Sequence, residues 1–384
     1  MKIVHIMLGN FYIDNMSYQE NLITKFHKKL GYDVEIIASK IILDGNGNDI
    51  LYEGEPYYFN ENGIPVNRIP FDKKKYSRRL RIYEGLEKLL DKTNPDILFI
   101  HNLQFMDIKI IAKYCKEHKN VRVYVDNHAD EANSANNWIS KYILHKIIWK
   151  ACAKTILPYV QKFYGVLPAR VDFLYEMYGI PKEKIELLVM GADDELISRS
   201  NDKEQIRITR ETNGISEDNL LIVTGGKINR YRPETLDLMK AVIGLKNSKV
   251  KLLVFGTPSA DLKEEFLKLC KDDKIIYVGW VNSDETYKYM AAADLVVFPG
   301  LHSVMWEQAV ALGKPCIFRD IEGFHHVDLG GNCEFINDVS VDGVSKVLEN
   351  VLNDNSKLII MENIAKEKGP QKFAYSKIAE ESLK

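Results

Sequence analysis

A chain of 384 residues, 46% hydrophobic and 28% charged, is ordinary globular material, long enough for two domains with separate cores. Its formal net charge of -2 excludes a global basic field, so nucleic acid is not an expected partner and any cationic patch must be local. The five cysteines, Cys115, Cys152, Cys270, Cys316 and Cys333, are odd in number, scattered and without a C-x-x-C pair; they read as reduced core residues of a cytoplasmic protein.

Residues 3–8 read as a first strand rather than a leader, since Gly9 and polar residues follow at once. No window reaches the roughly 18 apolar residues of a membrane span. A helix over 18–30 and a strand over 33–38 come next, then a long basic helical stretch. Apolar runs follow at 97–100, 121–125 and 155–157. This alternation predicts a parallel sheet wrapped by helices. A second series has strands at 220–224, 251–255, 275–278, 294–298 and 316–318, so the expected fold class is α/β, with two tandem Rossmann-like doubly wound domains. Residues 190–195 and the polar run 198–214 lack strand periodicity and read as the connection, which puts the boundary near 195–215. The domains are then 1–197 and 198–368. The remaining segment 369–384 carries an amphipathic helix, 372–380, that starts after Gly369-Pro370 and suits packing on a neighbouring surface.

Ligands on such sheets sit beyond the carboxyl ends of the strands. The loop after the first strand contributes Asn10 and Tyr18, either as acceptor-side groups or as turn and cap residues. The strand 121–125 delivers Asp126-Asn127-His128-Ala129-Asp130. There His128 can donate to a hydroxyl or move a proton, with Asp126 and Asp130 beside it; the same cluster can also cap a helix. His101 ends a strand too, but a lone histidine there reads as a satisfied structural residue. In the second half Gly225-Gly226-Lys227 follows a strand, and Arg232 lies five residues on, just before a helix that begins at about Pro233. Glycine lets backbone amides approach, and two cations with a helix start neutralise a diphosphate. The stretch Phe298-Pro-Gly-Leu-His-Ser-Val-Met-Trp-Glu307 runs from a strand into a helix. It offers Gly300, His302, Ser303 and Glu307, the last of which is otherwise a first-turn carboxylate favoured by the helix dipole. No Asp-x-Asp pair and no His-rich or Cys-rich run offers metal-ligand spacing, so Lys227 and Arg232 are expected to do the neutralising without a metal or other cofactor. Two segments mix cations with aromatics, Phe71-Asp-Lys-Lys-Lys-Tyr-Ser-Arg-Arg-Leu-Arg-Ile-Tyr83 and residues 138–150. Each is a candidate for an anionic membrane surface, or else a solvated basic face and a core helix respectively.

Taken together, the tandem domains, the Gly-Gly-Lys…Arg turn, the strand-end His128, Gly279-Trp280-Val281, Glu307 and the C-terminal helix resemble the retaining glycosyltransferases of family 4 over nearly the whole chain. The resemblance implies the GT-B arrangement, two Rossmann-like domains facing a central cleft, with the C-terminal helix returning to the first. It implies that the family's Gly-Arg-x-x-x-x-Lys grip on the donor diphosphate is met here by Gly226-Lys227 and Arg232 with the cations exchanged. It assigns Glu307 to the ribose hydroxyls, Trp280 and Val281 to the base, and His128 to the reacting sugar. Where the family has a first glutamate, eight residues before Glu307, this chain has Pro299; Gly300 and the amides of His302 and Ser303 are left to approach the sugar, and the donor sugar stays open. The implied reaction is retaining transfer of a sugar from a nucleoside diphosphate, UDP foremost, to a glycan or polyprenyl-linked glycan acceptor, in the cytoplasm or on the inner face of the membrane. The rivals are a sugar-nucleotide 2-epimerase and a nucleotide-binding subunit that has lost turnover. A dinucleotide oxidoreductase is disfavoured because no G-x-G-x-x-G follows the first strand.

Overall fold

The computed structural model describes residues 1–43, 49–74, 76–131, 133–230 and 233–384. It falls into two compact units: unit 1 is Met1–Val189 with Ile378–Lys384, and unit 2 is Met190–Lys377.

Unit 1 contains β1 (Lys2–Met7), β2 (Asp33–Ser39), the hairpin strands β3 (Ile41–Leu43) and β4 (Asp49–Leu51), β5 (Tyr57–Phe59), β6 (Pro65–Ile69), β7 (Ile97–His101), β8 (Arg122–Asn127), β9 (Val160–Gly165) and β10 (Ile185–Leu187). Eight of these form one sheet in the order β10-β9-β8-β7-β1-β2-β6-β5, parallel except at the β5 edge. Central strands buried on both faces lose the polar alternation of a half-exposed strand. Accordingly Ile3, Val4, His5, Ile6 and Met7 are all buried. Val4 and Ile6 pack into the larger core with Leu98, Ile100, Val123 and Val125, whereas Met7 packs on the opposite face with Val34, Ile36 and Ala38. His5 lies on Met7's face by the two-residue period of a strand.

Unit 2 contains β11 (Leu220–Gly225), β12 (Val250–Phe255), β13 (Ile275–Gly279), β14 (Leu295–Phe298), β15 (Cys316–Arg319) and β16 (Cys333–Ile336), all parallel in the order β13-β12-β11-β14-β15-β16. The order reverses between β11 and β14, so the loops after these two strands flank the crevice where doubly wound sheets take ligands.

Several expectations need correction. Residues 155–157 are not a strand: they close the helix Lys150–Ile156, and the strand begins at Val160. A three-residue apolar run has no period of its own to separate helix from strand. The units divide after Val189, earlier than the expected 195–215, because the run read as a connection forms two helices of unit 2, Asp194–Ser200 and Lys203–Thr212. Asp193 and Asp202 cap them, accepting from the backbone of Glu195 and Gln205. Gly369-Pro370 does not start the last helix. Both lie inside Asn355–Phe373, and the break comes at Ala374, before Tyr375–Glu381. Gly369 is needed for contact: a Cβ there would sit 2.0 Å from the carbonyl oxygen of Val310, on the helix Met305–Ala311. The returning element is thus residues 378–384, assigned to unit 1, rather than all of 369–384.

Candidate functional site

In unit 2, Gly225, Gly226 and Lys227 leave β11 and line a cleft with Glu234, Pro299, Gly300 and Ser303. Gly226 takes φ +117°, open only to glycine at low cost, and a Cβ there would press on Met305 Cε at 3.2 Å. Lys227 is exposed and has no partner among the described residues. The helix Glu234–Gly244 starts at the cleft with Pro233 at its N-cap, which aims free amides toward an anion. Arg232 lies outside the described residues.

Glu234 escaped the sequence reading. Its carboxylate is buried, takes Arg319 Nη1 at 2.9 Å through Oε1, and leaves Oε2 without a hydrogen-bond partner among the described residues. A glutamate in a helix's first turn looks like dipole chemistry in the sequence, and only the fold shows it lining the cleft across from Gly300.

Glu307 is not among the residues lining this cleft, and its Oε2, like that of Glu234, has no hydrogen-bond partner among the described residues. It is fully buried, and its Oε1 accepts from His302 Nε2 at 2.9 Å and His326 Nε2 at 2.8 Å. Burial alone would raise its pKa, but the two imidazoles outweigh it and hold the carboxyl at about 2. His302 is thereby a partner of Glu307, with its ring edge-on to Trp306. Ser303 supplies the carbonyl that receives Trp306 N at 3.0 Å. Trp280 is 74% exposed just past β13, and Val281 follows it ahead of the helix Ser283–Ala292.

In unit 1, Asp126 and His128 meet at the end of β8. His128 Nε2 is buried 3.3 Å from Asp126 Oδ1 and 4.0 Å from Glu20 Oε1, off the line of a hydrogen bond to either. Burial opposes charge on His128, but Asp126 and Glu20 outweigh it and raise its pKa. Asp126, fully buried, is nonetheless held well below the carboxylate range by His101 and His128. His101 is therefore not a lone structural residue: its Nδ1 lies 2.7 Å from Asp126 Oδ2. Asp130 is drawn into its own loop, accepting from Asn133 N at 2.8 Å and Arg170 Nε at 3.1 Å. Asn10 donates to Glu20. Tyr18 is exposed and serves the helix Gln19–Lys29 through its carbonyl, which receives Asn21 N and Leu22 N.

Asn10 also lines a second cavity of about 490 Å³ at the ends of β1 and β2, with Phe11, Phe71, Arg78, Arg79 and Arg81. The basic segment 71–83 is not uniformly a solvated face: Arg81 turns inward to the carbonyls of Gly9 and Gln104, and Arg78 pairs with Asp49. Lys75 lies outside the described residues. The stretch 138–150 is a core helix on one face only, through Leu144, Ile148 and Trp149. It forms a π-helix, Ile139–Trp149, with Trp138, Ile139, Tyr142, Ile143 and Ile147 exposed.

Among the described residues folding brings two groups of ligand-type atoms together. His101, Asp126 and His128 bring three ligand atoms within 4.8 Å, as do His302, Glu307 and His326. Folding assembles both from separate strand ends, so linear spacing does not reveal them. Three of these contacts, His101 to Asp126 and His302 and His326 to Glu307, are hydrogen bonds of imidazole N–H donors.

Residues 219–354 match the family described as Glycosyl transferases group 1. An uncharacterized glycosyltransferase of Methanocaldococcus jannaschii is 24% identical over 221 residues, 54% of this chain and 55% of the relative, so the chain spans about half the length of this curated relative. A crystal structure of Anabaena HepE in complex with UDP superposes with a TM-score of 0.71 at 14% identity, covering 100% of this chain and 98% of that one. The UDP-GlcNAc 2-epimerase of Neisseria meningitidis bound to UDP-GlcNAc gives 0.65 at 13% identity, with coverage of 100% and 99%. Residues 219–354 thus resemble the group 1 glycosyl transferases, carried on a chain of the GT-B fold.

Proposed function

We propose that this chain is a retaining, metal-independent glycosyltransferase. It moves a sugar from a UDP-sugar to a hydroxyl of a glycan or lipid-linked glycan in surface polysaccharide or glycoconjugate assembly. The reading rests on the unit 2 cleft, where the Gly225-Gly226-Lys227 turn and the start of the helix Glu234–Gly244 face Gly300 and Ser303. The UDP carried by the HepE structure supports the choice of base.

Lys227, Arg232 and the helix-start amides stabilise charge that grows on the leaving diphosphate as the glycosidic bond breaks. The acceptor attacks on the same face, and its proton passes to the departing phosphate. Glu234 Oε2, free to accept, takes a sugar hydroxyl in place of the carboxylate lost at Pro299. Trp280 offers its exposed ring to the base. By the resemblance, His128 acts near the reacting sugar as a donor. The unit 1 cavity, with Arg78 and Arg79 beside Phe71, suits the phosphate and first apolar groups of a lipid-linked acceptor.

The test is product formation from a panel of nucleoside diphosphate sugars, with the anomeric configuration read by NMR. Arg232→Ala and Lys227→Ala are each expected to lose about 10²- to 10³-fold in rate with the fold intact. More than half the activity remaining in either variant overturns the assignment. The epimerase reading, favoured by the Neisseria likeness, requires the donor sugar itself to change with no acceptor present.

A further inference from the structure

A line of buried polar side chains crosses unit 1 on one face of its sheet. From Asp126 on β8, Oδ2 meets His101 Nδ1 at 2.7 Å. His101 Nε2 lies 2.9 Å from His5 Nδ1 on β1, with the two rings stacked at 5.3 Å. His5 Nε2 lies 3.1 Å from His27 Nδ1 on the helix Gln19–Lys29. His27 Nε2 lies 2.9 Å from Ser382 Oγ and 3.2 Å from the Ala379 carbonyl, and Ser382 Oγ is itself 2.9 Å from that carbonyl. Asp126, His101, His5, His27 and Ser382 all have 0% exposure, so these groups must satisfy one another's hydrogen bonds.

Counting protons leaves two arrangements. A neutral imidazole carries one N–H, and a carboxylate or carbonyl only accepts. In the first, each ring points its Nδ1–H toward Asp126, which leaves His27 Nε2 an acceptor that the Ser382 hydroxyl must satisfy. In the second, His27 and His5 carry the proton on Nε2 and His101 carries both, while Ser382 turns its hydroxyl to Ala379. The second holds one proton more. That proton, taken from solvent when the structure opens locally, enters at His27 Nε2; the Nδ1 proton of His27 passes to His5 Nε2, the Nδ1 proton of His5 passes to His101 Nε2, and the positive charge comes to rest beside Asp126. Burial and the neighbouring imidazoles hold His5 and His27 far below the ordinary histidine range, His27 at about 3, so these two pass the proton without keeping the charge.

We propose that His101, His5, His27 and Ser382 are positioning residues that set the charge Asp126 presents to His128, through a hydrogen-bond chain whose two polarities differ by one proton. This rests on the reading of His128 as the donor at the reacting sugar. The first polarity leaves Asp126 anionic and His128 readily protonated; the second compensates Asp126 with a His101 imidazolium and weakens the hold on His128. The other charged groups facing His128 are Glu20 and Arg170, and the phenol-bearing ring against His27 is Tyr32.

The experiment is NMR on the full chain with ¹⁵N-labelled histidine, comparing wild type, Ser382→Ala and Ser382→Thr. Wild type and Ser382→Thr are expected to carry the proton on Nδ1 of His5 and His27 at pH 7. Ser382→Ala, lacking the hydroxyl donor, is expected to move it to Nε2 on both rings and to shift the His128 titration about one unit lower. Unchanged ring protonation in Ser382→Ala, or Nε2–H on either ring in wild type, overturns the chain. A His128 titration that stays in place while the rings switch overturns the positioning role. None of these readings depends on catalysis, so an absence of sugar transfer in wild type would sink the proposed function alone.

Discussion

Glu307 and Glu234 stand close in the sequence-to-structure logic yet end in opposite roles. Both occupy the first turn of a helix behind a strand end, where a carboxylate is favoured by the dipole. Nothing at that level tells which will face a ligand. The deciding contacts, Arg319 for one and His302 with His326 for the other, come from different strand ends. The glycine turn with Lys227 was legible because its residue types and its place after a strand are both local. Glu307 yields a pH prediction. Its folded pKa of about 2 lies below the ordinary 4.5, so its contribution is complete above 4.5 and is lost as the pH falls toward 2. Glu307→Gln should flatten the fall in stability as the pH drops from 4.5 toward 2, as read from urea unfolding. An unchanged pH slope would contradict the pairing.

At the scale of elements, the buried parallel strands were readable from their apolar runs, whereas short edge strands and helices without clear periodicity were not. β10 has three residues, and the helices of residues 194–212 advertise themselves chiefly by their aspartate caps. Gly369-Pro370 reads as a stop signal, yet the proline is accommodated inside Asn355–Phe373 and the glycine serves a close helix contact. The π-helix Ile139–Trp149 packs Leu144, Ile148 and Trp149 on the core and leaves Ile139, Tyr142, Ile143 and Ile147 exposed on a segment that also carries Lys141 and Lys146. Such a face favours an anionic lipid surface, where each nearby cation contributes about 1 kcal/mol. Wild type should sediment with anionic vesicles at low salt, and Ile147→Glu should reduce the bound fraction several-fold. Equal sedimentation of the two would remove this helix from consideration.

For the whole molecule, two runs of alternating strands and helices were enough to foresee two doubly wound sheets, because that architecture repeats one local rule. The group 1 match at residues 219–354 falls entirely within unit 2. Nucleotide should therefore protect unit 2: UDP at 100 times its dissociation constant adds about 2.7 kcal/mol, visible as a higher melting temperature without magnesium. No shift with UDP, GDP, ADP or CDP would favour loss of donor binding. The assignment of Ile378–Lys384 to unit 1 reaches into biosynthesis. His27 and Tyr124 find their partners at Ser382 and Leu383, which leave the ribosome only after all of unit 2 has been made. Vectorial synthesis therefore delivers residues 1–189 of unit 1 before unit 2 and residues 378–384 after it, so His27 lacks its Ser382 partner until unit 2 has been made.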